Sequence, residues 1–148
     1  MQRAPAMAAF AAAAALALAL GGAASAKPAE PDPIVAVWSF KTDVYGPDCT
    51  LVGEMLISHG ETAGAYTCRF ETRETCRAWK VRARQTCQAV RTASGALSIS
   101  SAVVTSEGAS YKPDDFTLDV LGPFEMRGAM SSVYRAPVVF SRKTALTS

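Results

Sequence analysis

The amino-acid sequence predicts an all-β protein, an antiparallel up-and-down meander of about eight strands that forms a small closed or partly open barrel. After Ile34, apolar residues recur mainly with a period of two, the spacing of half-buried strands. Clusters of Gly, Pro, Asp and Ser separate these runs at hairpin distances. No clear helical segment supplies the crossover that a parallel sheet needs. The alternatives are a flattened β-sandwich and a helix at 72–90.

The first 26 residues have the layout of an export signal. Met1-Gln2-Arg3 is positively charged, Ala8 to Leu20 is an apolar run, and Ala24-Ser25-Ala26 is a small-residue cleavage pattern. The apolar run is shorter than the roughly 20 residues that span a bilayer. We therefore expect residues 1–26 to be a signal peptide removed after Ala26. The product would be periplasmic or secreted, with no membrane span.

The remaining chain is expected to form one domain. Three prolines make residues 27–33 a tether without regular structure. Residues 34–144 would form a single β-barrel domain, followed by a tail at 145–148. The expected strands are Ile34–Thr42, Cys49–Ser58, Ala65–Thr72, Ala78–Thr92, Ala96–Thr105, Phe116–Leu121, Phe124–Ser131 and Ala136–Lys143.

The fourth expected strand has two chemically different faces. One carries Trp79, Val81, Ala83, Gln85, Cys87 and Ala89, and the other carries Lys80, Arg82, Arg84, Thr86 and Gln88. Helical spacing of Cys76, Lys80, Ala83 and Cys87 makes a helix the competitor, but the β-branched and aromatic content favours a strand.

Four cysteines, Cys49, Cys68, Cys76 and Cys87, are expected to form two disulfides in an oxidising compartment. A hairpin turn at His59-Gly60 would place Cys49 opposite Cys68 and leave Cys76 to pair with Cys87. Four cysteines nevertheless allow three connectivities, and the sequence does not choose among them. Their spacing lacks the close pairs typical of zinc sites and the Cys-x-x-Cys of redox sites. No metal and no cofactor are predicted.

The residues that could carry enzymatic chemistry are few. His59 is the only histidine, and its predicted place at a hairpin tip is that of a solvated residue. The paired acids Asp114 and Asp115 are interpreted as a solvated turn before the sixth strand. No catalytic residue is predicted. The polar connection from Ser106 to Asp114 is the best candidate for a functional loop, because long loops often carry function.

The alternating cations Lys80, Arg82 and Arg84 would project from one strand face and could form a patch for an anionic partner. Acids on neighbouring strands could equally neutralise this row. The near-neutral overall charge argues against nucleic acid as a partner. An envelope protein or an anionic polymer would fit better, and a monomer is expected.

Seven aromatic residues are interpreted as core: Trp38, Tyr66, Phe70, Trp79, Phe116, Phe124 and Phe140. An eight-stranded barrel is just wide enough to be filled by side chains or to hold one small ligand. The sequence favours a filled interior, although small residues such as Gly53, Ala83 and Gly128 leave a cavity open as an alternative.

Four segments share a strand pattern found in a known class of proteins: Val37-Trp38-Ser39-Phe40, Cys49-Thr50-Leu51, Ala65-Tyr66-Thr67-Cys68 and Val138-Val139-Phe140-Ser141-Arg142. In this pattern the chain resembles small exported bacterial barrels of the lipocalin and avidin type, including periplasmic metalloprotease inhibitors. It differs at Ala36, where lipocalins usually have glycine, and in its four cysteines. The resemblance implies an exported barrel, and it assigns no binding residue.

Three functions follow as hypotheses. The first is a non-enzymatic envelope protein that binds a partner through its surface or loops, like an inhibitor or interaction module. The second is a carrier of a small apolar ligand, which requires a cavity continuous with one barrel mouth. The third is a hydrolase of unrecognised type, which requires His59 or Asp115 to lie in a cleft with partners.

Overall fold

The computed structural model describes Gly22, Pro28, residues 30–108 and residues 110–144. The expected signal peptide, apart from Gly22, lies outside the described residues, and so does the expected tail at 145–148. A compact unit begins at Pro31. No helix in the described part of the chain is long and apolar enough to cross a membrane.

Eight antiparallel strands form a closed barrel in which each strand pairs with its neighbours in sequence and the first pairs with the last. The predicted fold class is confirmed. Residues 72–75 and 80–90 form strand and residues 76–79 form the turn between them, so the alternative of a helix at 72–90 is wrong. The strands are β1 (Ala36–Thr42), β2 (Thr50–His59), β3 (Ala65–Thr75), β4 (Lys80–Arg91), β5 (Leu97–Glu107), β6 (Asp115–Val120), β7 (Glu125–Ser131) and β8 (Arg135–Arg142).

The meander places alternate loops at opposite ends of the barrel. Residues 43–49, 76–79, 108, 110–114 and 132–134 lie in the connections at one end, which we call the upper mouth. Residues 60–64, 92–96 and 121–124 connect strands at the other end, the lower mouth, where the segment before β1 also enters. A binding site formed by loops could therefore lie at either end of the barrel.

Aromatic side chains fill the middle of the barrel. Phe40 stacks on Phe140 with ring centroids 4.9 Å apart, and both rings approach Phe116 at 5.3 Å. Phe70 meets Phe40 edge-on at 6.0 Å. Gly53 faces Phe40 across the β1–β2 pair, where a side chain would collide with the Phe40 ring. The expectation of a filled interior therefore holds at this level of the barrel.

The segment before β1 covers the lower mouth. Ile34 is fully buried, and its carbonyl accepts a hydrogen bond from Trp38 Nε1 at 2.9 Å. The Tyr66 hydroxyl donates to Asp32 Oδ2 at 2.5 Å. Burial by itself would raise the pKa of Asp32, but hydrogen bonds from Tyr66 and from the Ile34 amide hold that pKa below its usual value. Asp32, which falls in the expected tether, is thus bonded to the barrel.

The turn between β2 and β3 lies at residues 60–64, and its expected position at His59-Gly60 is wrong. His59 is still extended and pairs with Tyr66. Gly60 N–H donates to the Ala65 carbonyl at 2.8 Å, and Gly64 adopts the left-handed conformation with φ of +77°. Because Gly64 supplies the positive φ that this turn uses, the register differs from the expected one.

The corrected register changes the disulfide pairing. Cys49 is bonded to Cys76 and Cys68 to Cys87, with Cα–Cα distances of 4.0 and 4.8 Å. Cys68 and Cys87 face each other directly on β3 and β4, whereas Cys49 and Cys76 flank the paired ends of β2 and β3. The expected Cys49–Cys68 pair is therefore wrong, although all four cysteines form disulfides as predicted.

Two of the seven aromatic residues assigned to the core are exposed. Trp79 is 44% exposed and Phe124 is 62% exposed. Both lie in turns immediately before strands, since β4 begins at Lys80 and β7 at Glu125. The alternation of inward and outward side chains holds only within a strand, so extending it into the turns gave the wrong burial.

Candidate functional site

The upper mouth contains a cleft of about 420 Å³, which we call the mouth cleft. All four loops of this end contribute to it. Its lining consists of Tyr45, Cys49, Glu74, Trp79, Val81, Ser110, Tyr111, Lys112, Ser132, Val133 and Tyr134. The cleft lies at the rim of the barrel, and none of the four packed phenylalanines is part of its described lining.

The β1–β2 loop is a tight structure that positions Tyr45. The backbone N–H groups of Tyr45 and Cys49 each donate to the carbonyl of the other, at 2.9 and 2.8 Å. Between them, Gly46 and Asp48 adopt positive φ values of 50° and 56°. The Cys49–Cys76 disulfide joins this loop to the β3–β4 turn. Two walls of the mouth cleft are therefore linked covalently.

The β3–β4 turn presents Trp79 at the rim. Cys76 N–H donates to the Trp79 carbonyl at 2.9 Å, which closes a four-residue turn. The indole Nε1 of Trp79 donates to Glu74 Oε1 at 3.4 Å. A large aromatic side chain is thus held half-exposed at the opening, where a ligand could contact it.

Glu74 also accepts a hydrogen bond from the β1–β2 loop. The Tyr45 hydroxyl donates to Glu74 Oε2 at 2.6 Å. Burial, together with this carboxylate, raises the pKa of Tyr45 above its usual value, so its hydroxyl stays protonated at neutral pH. The Tyr45 and Tyr134 ring centroids are 6.1 Å apart, which places a second aromatic ring beside the Glu74–Tyr45 pair.

Beneath the cleft lies a buried polar cluster formed by Thr72, Gln85, Tyr111 and Asp114. Gln85 Nε2 donates to Asp114 Oδ2 at 2.7 Å and to Thr72 Oγ1 at 3.3 Å. The Asp114 backbone N–H donates to Gln85 Oε1 at 2.9 Å, and the Tyr111 hydroxyl donates to Asp114 Oδ2 at 2.9 Å. This cluster fixes the β5–β6 loop over the barrel.

Asp114 is fully buried, so its interpretation as a solvated turn residue is wrong. Burial raises its pKa to about 6, against the opposing effect of the hydrogen bonds from Gln85 and Tyr111. Among the described residues, no group bonds to its Oδ1. The sequence analysis did not predict this cluster. Gln85 could have indicated it, because a polar residue on the otherwise apolar inner face of β4 needs a buried hydrogen-bond partner.

The predicted basic row projects from the outer face of β4, away from the mouth cleft. Arg82 and Arg84 both pair with Glu71 of β3, with N···O distances of 3.3 and 3.5 Å. Arg73 stands opposite Arg82 on β3, and Glu107 stands opposite it on β5. Acids therefore offset part of the row, while Lys80 and Arg73 leave this face with a surplus of positive charge.

The candidate catalytic residues are not brought together. His59 is exposed at the lower end of β2. Asp115 is exposed at the start of β6, where its Oδ1 accepts a hydrogen bond from the Ser101 amide at 2.8 Å. Neither belongs to the described lining of the mouth cleft. The condition set for the hydrolase hypothesis, that His59 or Asp115 lies in a cleft with partners, is therefore not met at the mouth cleft.

One group near the cleft resembles a metal-ligand set. Ligand atoms of Cys49, Glu74 and Cys76 lie within 4.8 Å of one another. Both sulfurs are bonded in the Cys49–Cys76 disulfide, however, and zinc is bound by thiolates. The arrangement is therefore a disulfide beside a carboxylate and offers no thiolate ligand.

A second hollow, of about 470 Å³, lies on the outer barrel wall beside Val37, Leu56 and Val104. It lies between strands and has no loop contribution in its described lining. The mouth cleft differs because four loops and several polar groups converge on it, as in many ligand sites. No protein-family model, curated protein or solved structure matches this chain. Its function must therefore be inferred from its own geometry.

Proposed function

We propose that the protein is an exported, non-enzymatic binding module of the interaction or inhibitor type, and that its upper mouth receives the ligand or partner. The observation that carries the proposal is the convergence of all four upper loops on the mouth cleft, above an interior filled by aromatic rings. A rigid barrel that presents loops at one end is a common arrangement for binding.

Two features support export to the periplasm or the medium. The two disulfides are compatible with an oxidising compartment, where such bonds mostly form and persist. The signal-like pattern of residues 1–26 would deliver the chain to such a compartment. The binding partner would then be a constituent of the cell envelope or of the surroundings.

The two other functions are less well supported. A carrier needs a cavity that continues into the barrel, but Phe40, Phe116 and Phe140 occupy that space. A hydrolase needs an acid or base that touches substrate. Asp114, the acid beneath the cleft whose pKa is raised, is fully buried, and Glu74, the carboxylate of the described lining, is already bonded to Tyr45 and Trp79.

The two tryptophans provide a test, because Trp79 is half-exposed at the cleft and Trp38 is fully buried. Acrylamide should quench the emission of Trp79 selectively, and Trp79→Phe should remove the quenchable component. The probes are Nα-acetyl-lysine amide, Nα-acetyl-arginine amide, N,N′-diacetylchitobiose, octanoate and a short-chain phosphocholine below its micelle concentration. We expect at least one to protect Trp79 saturably. If none of the five probes protects Trp79, the proposal is contradicted.

A further inference from the structure

We propose that the mouth cleft binds an aliphatic ammonium or guanidinium group. The inference rests on the proposed function, and it names the class of ligand. Its basis is the hydrogen-bonding capacity that remains in the cleft after the internal bonds are made, together with the aromatic lining.

The aromatic donors of the cleft are already bonded to carboxylates. The Tyr45 hydroxyl and Trp79 Nε1 both donate to Glu74. The Tyr111 hydroxyl donates to Asp114. A tyrosine oxygen that donates its proton keeps lone pairs, and a carboxylate oxygen can accept more than one bond. The cleft is therefore rich in acceptors, which suits a ligand that carries several N–H donors.

The lining of the mouth cleft is also rich in aromatic rings. Tyr45, Trp79, Tyr111 and Tyr134 all line the cleft, and two of them are half-exposed, with Trp79 at 44% and Tyr134 at 45%. Aromatic rings attract cations through their negative faces, and tryptophan does so most strongly. A site that combines several such rings with one carboxylate is suited to an organic cation.

The charges of the site also favour a cationic ligand. Glu74 lies in the lining, and Asp114 lies just beneath it. Lys112 is the cation of the described lining, and its side chain is exposed to solvent. A bound anion would meet the Glu74 carboxylate in the lining of the cleft. A bound cation would instead complete the coordination of that carboxylate.

The cation could be a free amine or a lysine or arginine side chain of a partner protein. The two sources share the chemistry that the cleft recognises. A small diamine, 1,5-diaminopentane, represents the first source. Nα-acetyl-lysine amide and Nα-acetyl-arginine amide represent the second, because they add the backbone amides of a polypeptide.

The experiment is a titration of the ¹⁵N-labelled protein followed through its two indole N–H signals. Trp79 Nε1 faces Glu74 in the cleft, whereas Trp38 Nε1 is bonded to the Ile34 carbonyl and serves as the internal control. Nα-acetyl-norleucine amide is the matched ligand, since it keeps the aliphatic chain and lacks the ammonium. Glu74→Gln is the test variant. Glu54→Gln is the matched control, because Glu54 lies exposed on the outer wall and pairs with Lys143.

We expect a saturable shift of the Trp79 signal with the cationic ligands and about tenfold weaker binding of the norleucine amide. Glu74→Gln should weaken the cationic ligands severalfold, and Glu54→Gln should not. Tighter binding of the diamine indicates a free amine, and tighter binding of the amino-acid amides indicates a side chain. Equal binding of the lysine and norleucine amides, or no saturable shift with any cation, would overturn the inference. Protection of Trp79 by chitobiose, phosphocholine or octanoate would in that case leave the proposed binding function intact.

Discussion

Gln85 holds Asp114 at two points beneath the mouth cleft. Its Nε2 donates to the carboxylate at 2.7 Å, and its Oε1 accepts the Asp114 backbone N–H at 2.9 Å. One side chain on the inner face of β4 thereby fixes the loop that carries Tyr111. The geometry of the cleft therefore depends on a residue that does not line it.

Gln85→Leu should destabilise the protein, because it leaves the buried Asp114 carboxylate and amide without these bonds. We expect a loss of about 2 to 4 kcal/mol in the free energy of unfolding, measured by urea denaturation. Gln88→Leu is the control, since Gln88 lies exposed on the outer face of the same strand and should change stability by less than about 0.5 kcal/mol. Equal effects of the two substitutions would contradict the role given to Gln85.

The raised pKa of Asp114 predicts a pH dependence of stability. In the folded protein this carboxyl titrates at about 6, against 3.8 for the ordinary group. The folded state therefore binds the proton more tightly than the unfolded state does. The resulting stabilisation is complete below about pH 3.8 and is lost as the pH rises through about 6. Ionised Asp114 also faces the charges of Glu74 and Asp115, which act in the same direction.

Asp114→Asn should remove this dependence, because an amide stays neutral. Relative to the variant, the wild-type protein should lose up to about 3 kcal/mol of unfolding free energy between about pH 4 and about pH 7. Chemical denaturation at both pH values measures the difference. Parallel pH profiles for the two proteins would show that Asp114 does not titrate in this range.

The disulfide pairing can be tested by digestion with trypsin without reduction. Cys49 and Cys68 lie on one tryptic peptide, 42–69, because no Lys or Arg lies between Lys41 and Arg69. The structural pairing predicts that this peptide remains linked to 74–77 and 85–91. Further cleavage at Met55 should separate the Cys49–Cys76 species from the Cys68–Cys87 species. An internally bridged peptide 42–69 would contradict the pairing.

Each disulfide should also contribute to stability. The bridges close loops with sequence separations of 27 and 19 residues, for which chain entropy gives about 3 to 4 kcal/mol each. Replacing either pair by serine should lower the unfolding free energy by a similar amount. Only the Cys49–Cys76 replacement should also weaken binding at the mouth cleft, because this bridge joins two of its walls. Equal loss of binding in both variants would argue against that role.

The basic face of β4 can be tested separately from the cleft. Glu71→Gln should strengthen binding to heparin, because it releases both Arg82 and Arg84. Replacing Lys80, Arg82 and Arg84 together by Ser should weaken binding by about 1 kcal/mol for each cation removed, while the fold remains intact. The measurement is the salt concentration at which each protein elutes from a heparin column. If it is unchanged in both variants, the anionic-partner hypothesis is wrong.

The sequence predicted the strands because period-two alternation is a local property. On β4 the alternation correctly predicted which residues face inward: Val81, Ala83, Gln85, Cys87 and Ala89. It failed where the outcome depended on turn geometry. Gly60 and Gly64 were both available for the β2–β3 turn, and the choice of Gly64 changed the register and the cysteine pairing.

The candidate site was less accessible to sequence reasoning. The Ser106 to Asp114 connection was predicted to be functional, and Ser110, Tyr111 and Lys112 do line the cleft. Glu74 and Tyr45 were not singled out, since their contact joins the end of β3 to the β1–β2 loop, which the β2–β3 pairing and the Cys49–Cys76 bridge bring together. Such a contact leaves no local pattern in the chain.

The central claim, that the upper mouth is the binding end of the barrel, is tested most directly by a backbone amide chemical-shift map for any probe that protects Trp79. The account predicts that the shifted signals cluster in residues 43–49, 76–79, 110–114 and 132–134. Shifts that cluster instead in the lower loops at 60–64, 92–96 and 121–124, or along the outer face of β3 and β4, would contradict it.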